Sequence, residues 1–463
     1  MRSPPRWPLL VAGTFQDTED WWQVKDAFSG EVMADVGMAG RRDVDAAVAA
    51  ARRALNEWAS LAPRERGVLL ERFGRAVDTA ADEIADLMHH EMGKPITEAA
   101  AEVARAAEVV HYFAGEAERL WTAQLPGQTP TTGSWIRPSP VGVVAAISPW
   151  NFPVALVVWK LAPALAAGCT VIVKPAIEAP LAAARVCQLA VEAGLPAGTV
   201  SCLTGDGPLI GEALATHPGV DKVAFTGSRR VAEKIASWAA PRLKALTLEL
   251  GGHGPLVVLP DADLDVVTDV AVTQGYANAG QACYSVNRVL VPAGLAGEVL
   301  DRMRARIADL ELGPMATERG VIRHHALLDD ARAKGAHVEG GDALDGRRVA
   351  AALVTGAGPG TRVIDEEPFT PIVSVIEVDD AASAIAEANR PDYGLVGYVC
   401  GGDMRTCLET AQSIECGTVV INGWRVVVPY APYGGWRGSG VGTELGRPGL
   451  EAFVRWQHLR VLA

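Results

Sequence analysis

Val141-Gly-Val-Val-Ala-Ala-Ile-Ser148 and Thr170-Val-Ile-Val-Lys174 are short runs in which apolar residues are continuous rather than alternating. That is the pattern of strands buried on both faces. The chain between and after them reads as helix and strand in turn: helix 154–167, helix 180–193, strand 200–204, helix 208–216, strand 222–226, helix 229–239 and strand 246–250. Buried strands alternating with helices predict an α/β fold, a Rossmann-like doubly wound parallel sheet that takes ligands at the carboxyl ends of its strands.

Upstream of this core, Val44, Ala47, Val48, Ala51, Leu55 and Trp58 recur at helical spacing, with Asp43 as cap and Pro63 as stop. Further helical runs cover 64–92, ending at Gly93 before Pro95, and 98–120, so the amino-terminal quarter reads as mainly helical. Downstream, helices near 264–276 and 298–310 and strands near 288–291, 372–378 and 418–422 predict a second α/β lobe. Two strand-like segments, 131–139 and 453–462, fall outside both lobes. Residues 1–118 with 140–250 are thus expected to form one domain and 251–440 a second. Residues 119–139 with 441–463 are expected to form a small β arm whose open edges pair with another copy into a homodimer or homotetramer.

The chain has 463 residues, too many for a single core. Its formal net charge of −13 offers no field for polyanions, so no nucleic-acid partner is expected. The apolar stretch from Val154 to Val173 is interrupted by Lys160 and Pro163, so no membrane span is expected. The apolar run near Pro8 is too short for a signal-peptide core, which points to the cytoplasm. The seven cysteines contain no Cys-x-x-Cys, and the nine histidines no His-Glu-x-x-His, so neither disulfides nor a metal is indicated.

Chemistry is carried by a combination of motifs. There is no Walker loop and no Gly-x-Ser-x-Gly elbow. Phe225-Thr226-Gly227-Ser228 does stand at a strand-to-helix junction, where backbone N–H groups favour phosphate. Pro149-Trp150-Asn151-Phe152-Pro153 ends the first sheet strand and Leu248-Glu249-Leu250-Gly251-Gly252 a later one; Gly280-Gln281-Ala282-Cys283 follows. With Trp159-Lys160, Lys174-Pro175, Glu366-Glu367-Pro368-Phe369, Asn389, Tyr393-Gly394-Leu395 and Pro432-Tyr433-Gly434-Gly435, this ordered set resembles the aldehyde dehydrogenase superfamily over essentially the whole chain.

Oxidation of an aldehyde to an acid requires a nucleophile, an oxyanion donor, a hydride acceptor and a base for water. The resemblance implies that Cys283 is the nucleophile, that Asn151 with the Cys283 N–H holds the oxyanion, and that Glu249 activates water against a thioester. It implies NAD or NADP as cofactor, with Trp150, Gly227 and Ser228 at the pyrophosphate, Lys174 and Ile177 at the adenosine ribose, and Glu367 and Phe369 at the nicotinamide. Lys160 and Glu444 match residues linked to proton relay; a structural ion pair is the other reading. Phe152, Leu156, Trp159, Tyr284, Trp424 and Tyr433 fall around the aldehyde channel, with Arg425 at its mouth as a contact for a distal carboxylate. Ile177 stands where many members carry a glutamate, Ala232 where they carry glycine, Thr370 where they carry glycine and Arg437 where they carry lysine. Two rival readings follow: transfer of the acyl group to coenzyme A, which Glu249 opposes, and a catalytically silent relative, which the four departures motivate.

Overall fold

The computed structural model describes residues 4–127, 129 and 132–462. In it Val143–Ile147, Thr170–Lys174, Val200–Cys202, Lys222–Thr226 and Ala245–Glu249 are parallel strands of one eight-stranded sheet. Gly440–Val441 runs antiparallel at one edge, and Leu9–Val11 with Thr14–Gln16 closes the other. Strand order reverses between Val143–Ile147 and Lys222–Thr226, because the next two strands in sequence lie on one side and the last two on the other. The register sets Ile147 near Lys174 and Thr226 opposite Glu249. Four residues that end strands therefore share the carboxyl rim at a topological switch point, where such sheets form a crevice.

The helices are α1 (Arg41–Ser60), α2 (Pro63–Thr79), α3 (Ala81–Met92) and α4 (Ile96–Ala117) before this sheet. Between its strands come α5 (Ala155–Ala167), α6 (Leu181–Glu192), α7 (Gly207–Thr216) and α8 (Arg229–Ala239). Three readings of the amino-terminal quarter need correction. Asp43 lies inside the first turn of α1, where its carboxylate accepts the Gly40 N–H at 2.7 Å, so the cap position is Gly40. Pro63 opens α2, because proline fits a first helical position whose N–H has no partner in any case. The run 64–92 divides at Ala80, whose φ of −95° and ψ of 14° interrupt the helix. The quarter is also less helical than expected: Arg6–Trp7, Leu9–Val11, Thr14–Gln16, Trp21–Lys25 and Val32–Gly37 are strands.

The second sheet has seven strands, in the order His337–Gly340, Ala352–Thr355, Ile372–Val378, Val286–Pro292, Gly254–Val258, Val396–Cys400 and Thr418–Ile421. All are parallel except the first, and α9 (Leu264–Tyr276), α10 (Ala293–Ile307) and α11 (Glu318–Ala333) connect them. Gly133–Pro140 pairs antiparallel with Val454–Val461 over its whole length, and Ala123–Leu125 flanks it. The two strand-like segments thus pair with each other first; Thr131, the first residue of the segment 131–139, lies outside the described residues. Gly440–Val441 belongs to the first sheet, and the helix Gly446–Glu451 packs against α5. Among the described residues no helix is long and apolar enough to cross a membrane.

Candidate active site

Asn151 follows the central strand Val143–Ile147 and precedes α5, a position that suggests a helix cap as well as an oxyanion donor. The cap comes from elsewhere. Glu102 of α4 accepts the N–H groups of Val154 and Ala155 at 3.1 and 3.0 Å. That leaves the Asn151 amide to donate to the Gln281 carbonyl at 3.0 Å, two residues before Cys283. The Asn151 backbone carbonyl accepts from Lys94 Nζ at 2.9 Å and from Asn278 Nδ2 at 3.0 Å. Lys94 is ion-paired with Glu102 in the core, and its ammonium sits 3.9 Å from the centre of the Phe152 ring. Glu98, one turn before Glu102, accepts the Asn278 N–H at 2.9 Å. One face of α4 therefore holds both the Asn151 loop and the cysteine loop. The sequence reading missed Lys94, Glu98, Glu102 and Asn278; the available signal was Glu102 standing in the apolar stripe of Ala99, Val103, Ala106 and Val110.

The cysteine loop leaves α9 through three successive left-handed residues, Asn278, Ala279 and Gly280, with φ of 50°, 54° and 70°. Only the last suits that region without strain. A Cβ on Gly280 would also collide with the Thr370 carbonyl. The turn is held by Gln281, whose Nε2 donates to Asn278 O at 2.9 Å and whose Oε1 accepts from Ala316 N at 3.0 Å. Cys283 is half-buried, whereas the other six cysteines are buried; none forms a disulfide. Its Sγ lies 3.4 Å from the Tyr433 hydroxyl oxygen. Burial pushes the thiol up to about 12; the Tyr433 bond opposes this, and the carboxyls of Glu367 and Glu249 add to it.

Glu249 is buried at the end of its strand, with the Gly435 backbone N–H as a donor that favours its ionised form. Burial, then the neighbouring Glu444, holds it well above the ordinary carboxyl range, with Lys160 opposing. Lys160 and Glu444 are an ion pair at 2.8 Å, and Lys160 also donates to Thr226 Oγ1 at 2.6 Å. Gly251 and Gly252 leave room for neighbouring parts of the protein. A Cβ on Gly251 would meet the Glu367 carboxylate, and one on Gly252 the Cys283 carbonyl.

Beyond the sulfur, Tyr433 packs edge-on to Trp159 with ring centres 5.2 Å apart, and Phe152 lies 5.5 Å from Tyr284. Leu156 is buried on the same turn of α5 that carries Trp159 and Lys160, whose ammonium also donates to the Leu156 carbonyl. Trp424 and Arg425 line a cavity of about 500 Å³ with Asp265, Asp269 and Asn422.

The rim also fits a dinucleotide. No side chain caps α8 at Ser228, so its first-turn N–H groups stay available to an anion, and Gly227 is anchored by its N–H to the Glu249 carbonyl at 3.0 Å. Lys174 is buried with its ammonium bonded only to the Pro175 carbonyl, at 2.9 Å, leaving donors to spare. Burial lowers its pKa, while Glu178 and Asp206 oppose that shift. Trp150 and Phe369 meet edge to face at 5.7 Å. Phe369 has a φ of 54°, held as Arg323 donates to the Pro368 carbonyl at 3.0 Å and the Glu367 carbonyl at 2.5 Å. Glu367 accepts the Gly252 N–H at 3.0 Å, and burial pushes its carboxyl up to about 7. Ile177 packs in a small apolar cluster with Val24, Ala34, Val36 and Leu181, and the Thr370 hydroxyl is buried without a partner.

The model of the aldehyde dehydrogenase family matches residues 15–459. A glutarate-semialdehyde dehydrogenase of Pseudomonas putida is 34% identical over 467 residues, covering 98% of this chain and 97% of its own. A probable NADP(+)-dependent succinate-semialdehyde dehydrogenase of Sinorhizobium fredii is 35% identical, covering 94% and 91%. The crystal structure of an NAD-dependent aldehyde dehydrogenase from Sinorhizobium meliloti superposes with a TM-score of 0.97 at 33% identity, covering 99% of this chain and 95% of that one. This chain belongs to the aldehyde dehydrogenase family, and its reaction is the oxidation of an aldehyde with NAD or NADP as acceptor.

Proposed function

We propose that the acid is released by water through a thioester on Cys283, with Asn151 as oxyanion donor and Glu249 as base. The observation that carries this reading is the convergence of three groups on one loop. The Asn151 amide bonds the Gln281 carbonyl, the Cys283 sulfur is half-open, and the buried Glu249 carboxyl acts on that sulfur electrostatically. Sulfur adds to the aldehyde carbon, and the charge that moves to oxygen is met by the Asn151 amide and the Cys283 N–H. The dinucleotide, when bound, supplies the hydride acceptor. Glu249 then takes a proton from water as the water oxygen attacks the thioester carbon; the carbon–sulfur bond breaks and Cys283 leaves as thiolate. Lys160 and Glu444 take the proton onward from Glu249. This water-activating carboxyl favours hydrolysis over acyl transfer to coenzyme A.

Phe152, Trp159, Tyr284 and Tyr433 bring four aromatic rings to the reacting sulfur. The substrate class this favours is an aldehyde with an apolar or aromatic group next to the carbonyl, to be checked by ranking kcat/KM over an aldehyde panel. Both dinucleotides are accepted, since Ile177 offers no carboxylate against a 2′-phosphate. The division into a dinucleotide-binding domain (1–118, 140–250), a catalytic domain (251–440) and an arm (119–139, 441–463) is supported by the three sheets except at Gly440–Val441, an edge strand of the first. Exposed Trp135, Trp456, Leu459 and Val461 on the arm sheet favour a cytoplasmic homodimer or homotetramer, which light scattering tests.

The deciding experiment uses an aromatic aldehyde and pre-steady-state absorbance of reduced cofactor. Cys283→Ala is expected to abolish the signal while dinucleotide binding persists. Glu249→Gln is expected to keep a single-turnover burst while steady turnover falls by roughly 10²–10⁴. Loss of the burst in Glu249→Gln would move Glu249 ahead of hydride transfer and overturn its role as the hydrolytic base.

A further inference from the structure

Every activation of a buried thiol needs something that favours the thiolate. The groups that face Cys283 are Tyr433, Glu367 and Glu249, and the tyrosines 284 and 398 act across it as well. The two carboxyls disfavour negative charge on sulfur. Tyr398 is committed, donating its hydroxyl to the Tyr284 carbonyl at 2.6 Å. Two donors remain, the Cys283 backbone N–H and the Tyr433 hydroxyl; the hydroxyl lies 3.4 Å from Sγ, and its position is fixed from two sides. Its backbone exchanges hydrogen bonds with Glu444 at 2.8 and 2.7 Å, and its ring rests on Trp159.

We propose that Tyr433 is a catalytic residue: its phenol donates a hydrogen bond to the Cys283 thiolate and raises the fraction of nucleophile available to the aldehyde. This rests on the reading of Cys283 as nucleophile. The direction of donation follows from chemistry, since burial holds the phenol well above its ordinary range, so it keeps its proton while sulfur carries the charge. A charge-assisted bond of this kind lowers a thiol pKa by about one. Tenfold more thiolate outweighs the roughly threefold fall in intrinsic nucleophilicity that accompanies it, leaving a net gain of about threefold.

The test is Tyr433→Phe, which keeps the ring against Trp159 and removes the hydroxyl alone. The rate of Cys283 alkylation by iodoacetamide, followed on the Cys283 peptide by mass spectrometry, is measured against pH in the full-length enzyme without cofactor. Thiolate ultraviolet absorbance, taken as the difference from Cys283→Ser, gives an independent titration. The expected result is an apparent pKa higher by about one and alkylation slowed about threefold below it. An unchanged pKa by both measurements, with alkylation still abolishing turnover, would overturn the role of Tyr433 and leave Cys283 as nucleophile. Alkylation of Cys283 that leaves turnover intact would overturn the nucleophile reading and the proposal with it.

Discussion

Four helices follow strands of the first sheet, and their amino-terminal ends are treated in two ways. Those of α5, α6 and α7 are filled by carboxylates. Glu102 takes the first N–H groups of α5, Glu91 takes Leu181 and Ala182 of α6 at 2.7 and 3.0 Å, and Asp206 takes Leu209 of α7 at 2.8 Å. The end of α8 at Ser228 carries no such partner. Since a helix amino terminus attracts acceptors and negative charge, the protein supplies its own carboxyl at three and leaves the fourth for a ligand's anion. The difference teaches that the helix to watch for a phosphate is the uncapped one, and that the capped ones are structural. Glu91 and Glu102 reach their targets from α3 and α4, so the amino-terminal helices are bolted to the sheet through the ends of its own helices.

The largest effect should come from breaking the cap that also holds the site. Glu102→Ala leaves Lys94 as a buried, unpaired charge beside the Asn151 carbonyl and bares the start of α5. Removing one member of a buried pair costs about 3–5 kcal/mol. Urea denaturation is expected to show that loss, and kcat should fall as Asn151 drifts from the cysteine loop. The double variant Lys94→Met, Glu102→Gln removes both charges and should recover most of the stability. If Glu102→Ala alone is as stable as the wild type, the bolt is not structural and the comparison fails at its strongest point.

Filling the empty end sharpens the comparison from the other side. Ser228→Asp gives α8 the carboxylate its neighbours have, so the cofactor-free protein should gain about 0.5–1 kcal/mol. The same charge should repel a pyrophosphate, weakening dinucleotide binding at least about tenfold by the roughly 1.4 kcal/mol that corresponds to one decade. Calorimetric titration with NAD+ reads the second effect and thermal unfolding the first. Unchanged affinity in the stabilised variant would mean that the anion site lies off this helix.

These caps also mark where the sequence was legible. Thr170–Lys174, Lys222–Thr226, α8 and α9 have the expected bounds because buried runs there end at Gly, Pro or Asp. Strands such as Arg6–Trp7 and Trp21–Lys25 escaped notice because they are short and largely exposed, and so carry little hydrophobic signal. Gly254–Val258 and Val396–Cys400 are not legible although buried, since Gly254 and Pro255 interrupt the first run and Gly397 and Gly401 the second. In the site, Cys283, Glu249 and Asn151 stand in contiguous motifs at strand ends and could be read. Glu102 acts on Val154 and Lys94 on Asn151 across more than fifty residues, and nothing local in a sequence reports a contact of that kind. The one local sign is a carboxylate inside an apolar helical stripe, which is costly unless something buried requires it.

The last effect is a slope with pH, and it separates the two glutamate caps from each other. Glu102 has Lys94 as counter-charge; Glu91 has no ion pair among the described residues, and burial pushes its carboxyl up to about 8 against the pull of the two backbone donors. A carboxyl raised in the folded state from its ordinary value of 4.5 binds a proton there that the unfolded chain has released. Its contribution to stability is therefore fully present below about pH 4.5 and is lost as pH rises through about 8. Other raised carboxyls, Glu98 and Glu367 among them, act in the same direction, so the wild-type profile alone does not isolate Glu91. The difference between wild type and Glu91→Gln does. In urea titrations across this window, the wild type should lose stability relative to the variant by up to about 1.4 kcal/mol per pH unit. A difference that stays flat with pH would mean that Glu91 is ionised throughout, with the two N–H donors and the helix dipole outweighing burial. In that case a carboxylate needs no partner lysine to cap a buried helix, and the ion pair of Glu102 exists for the sake of Asn151 rather than for the helix.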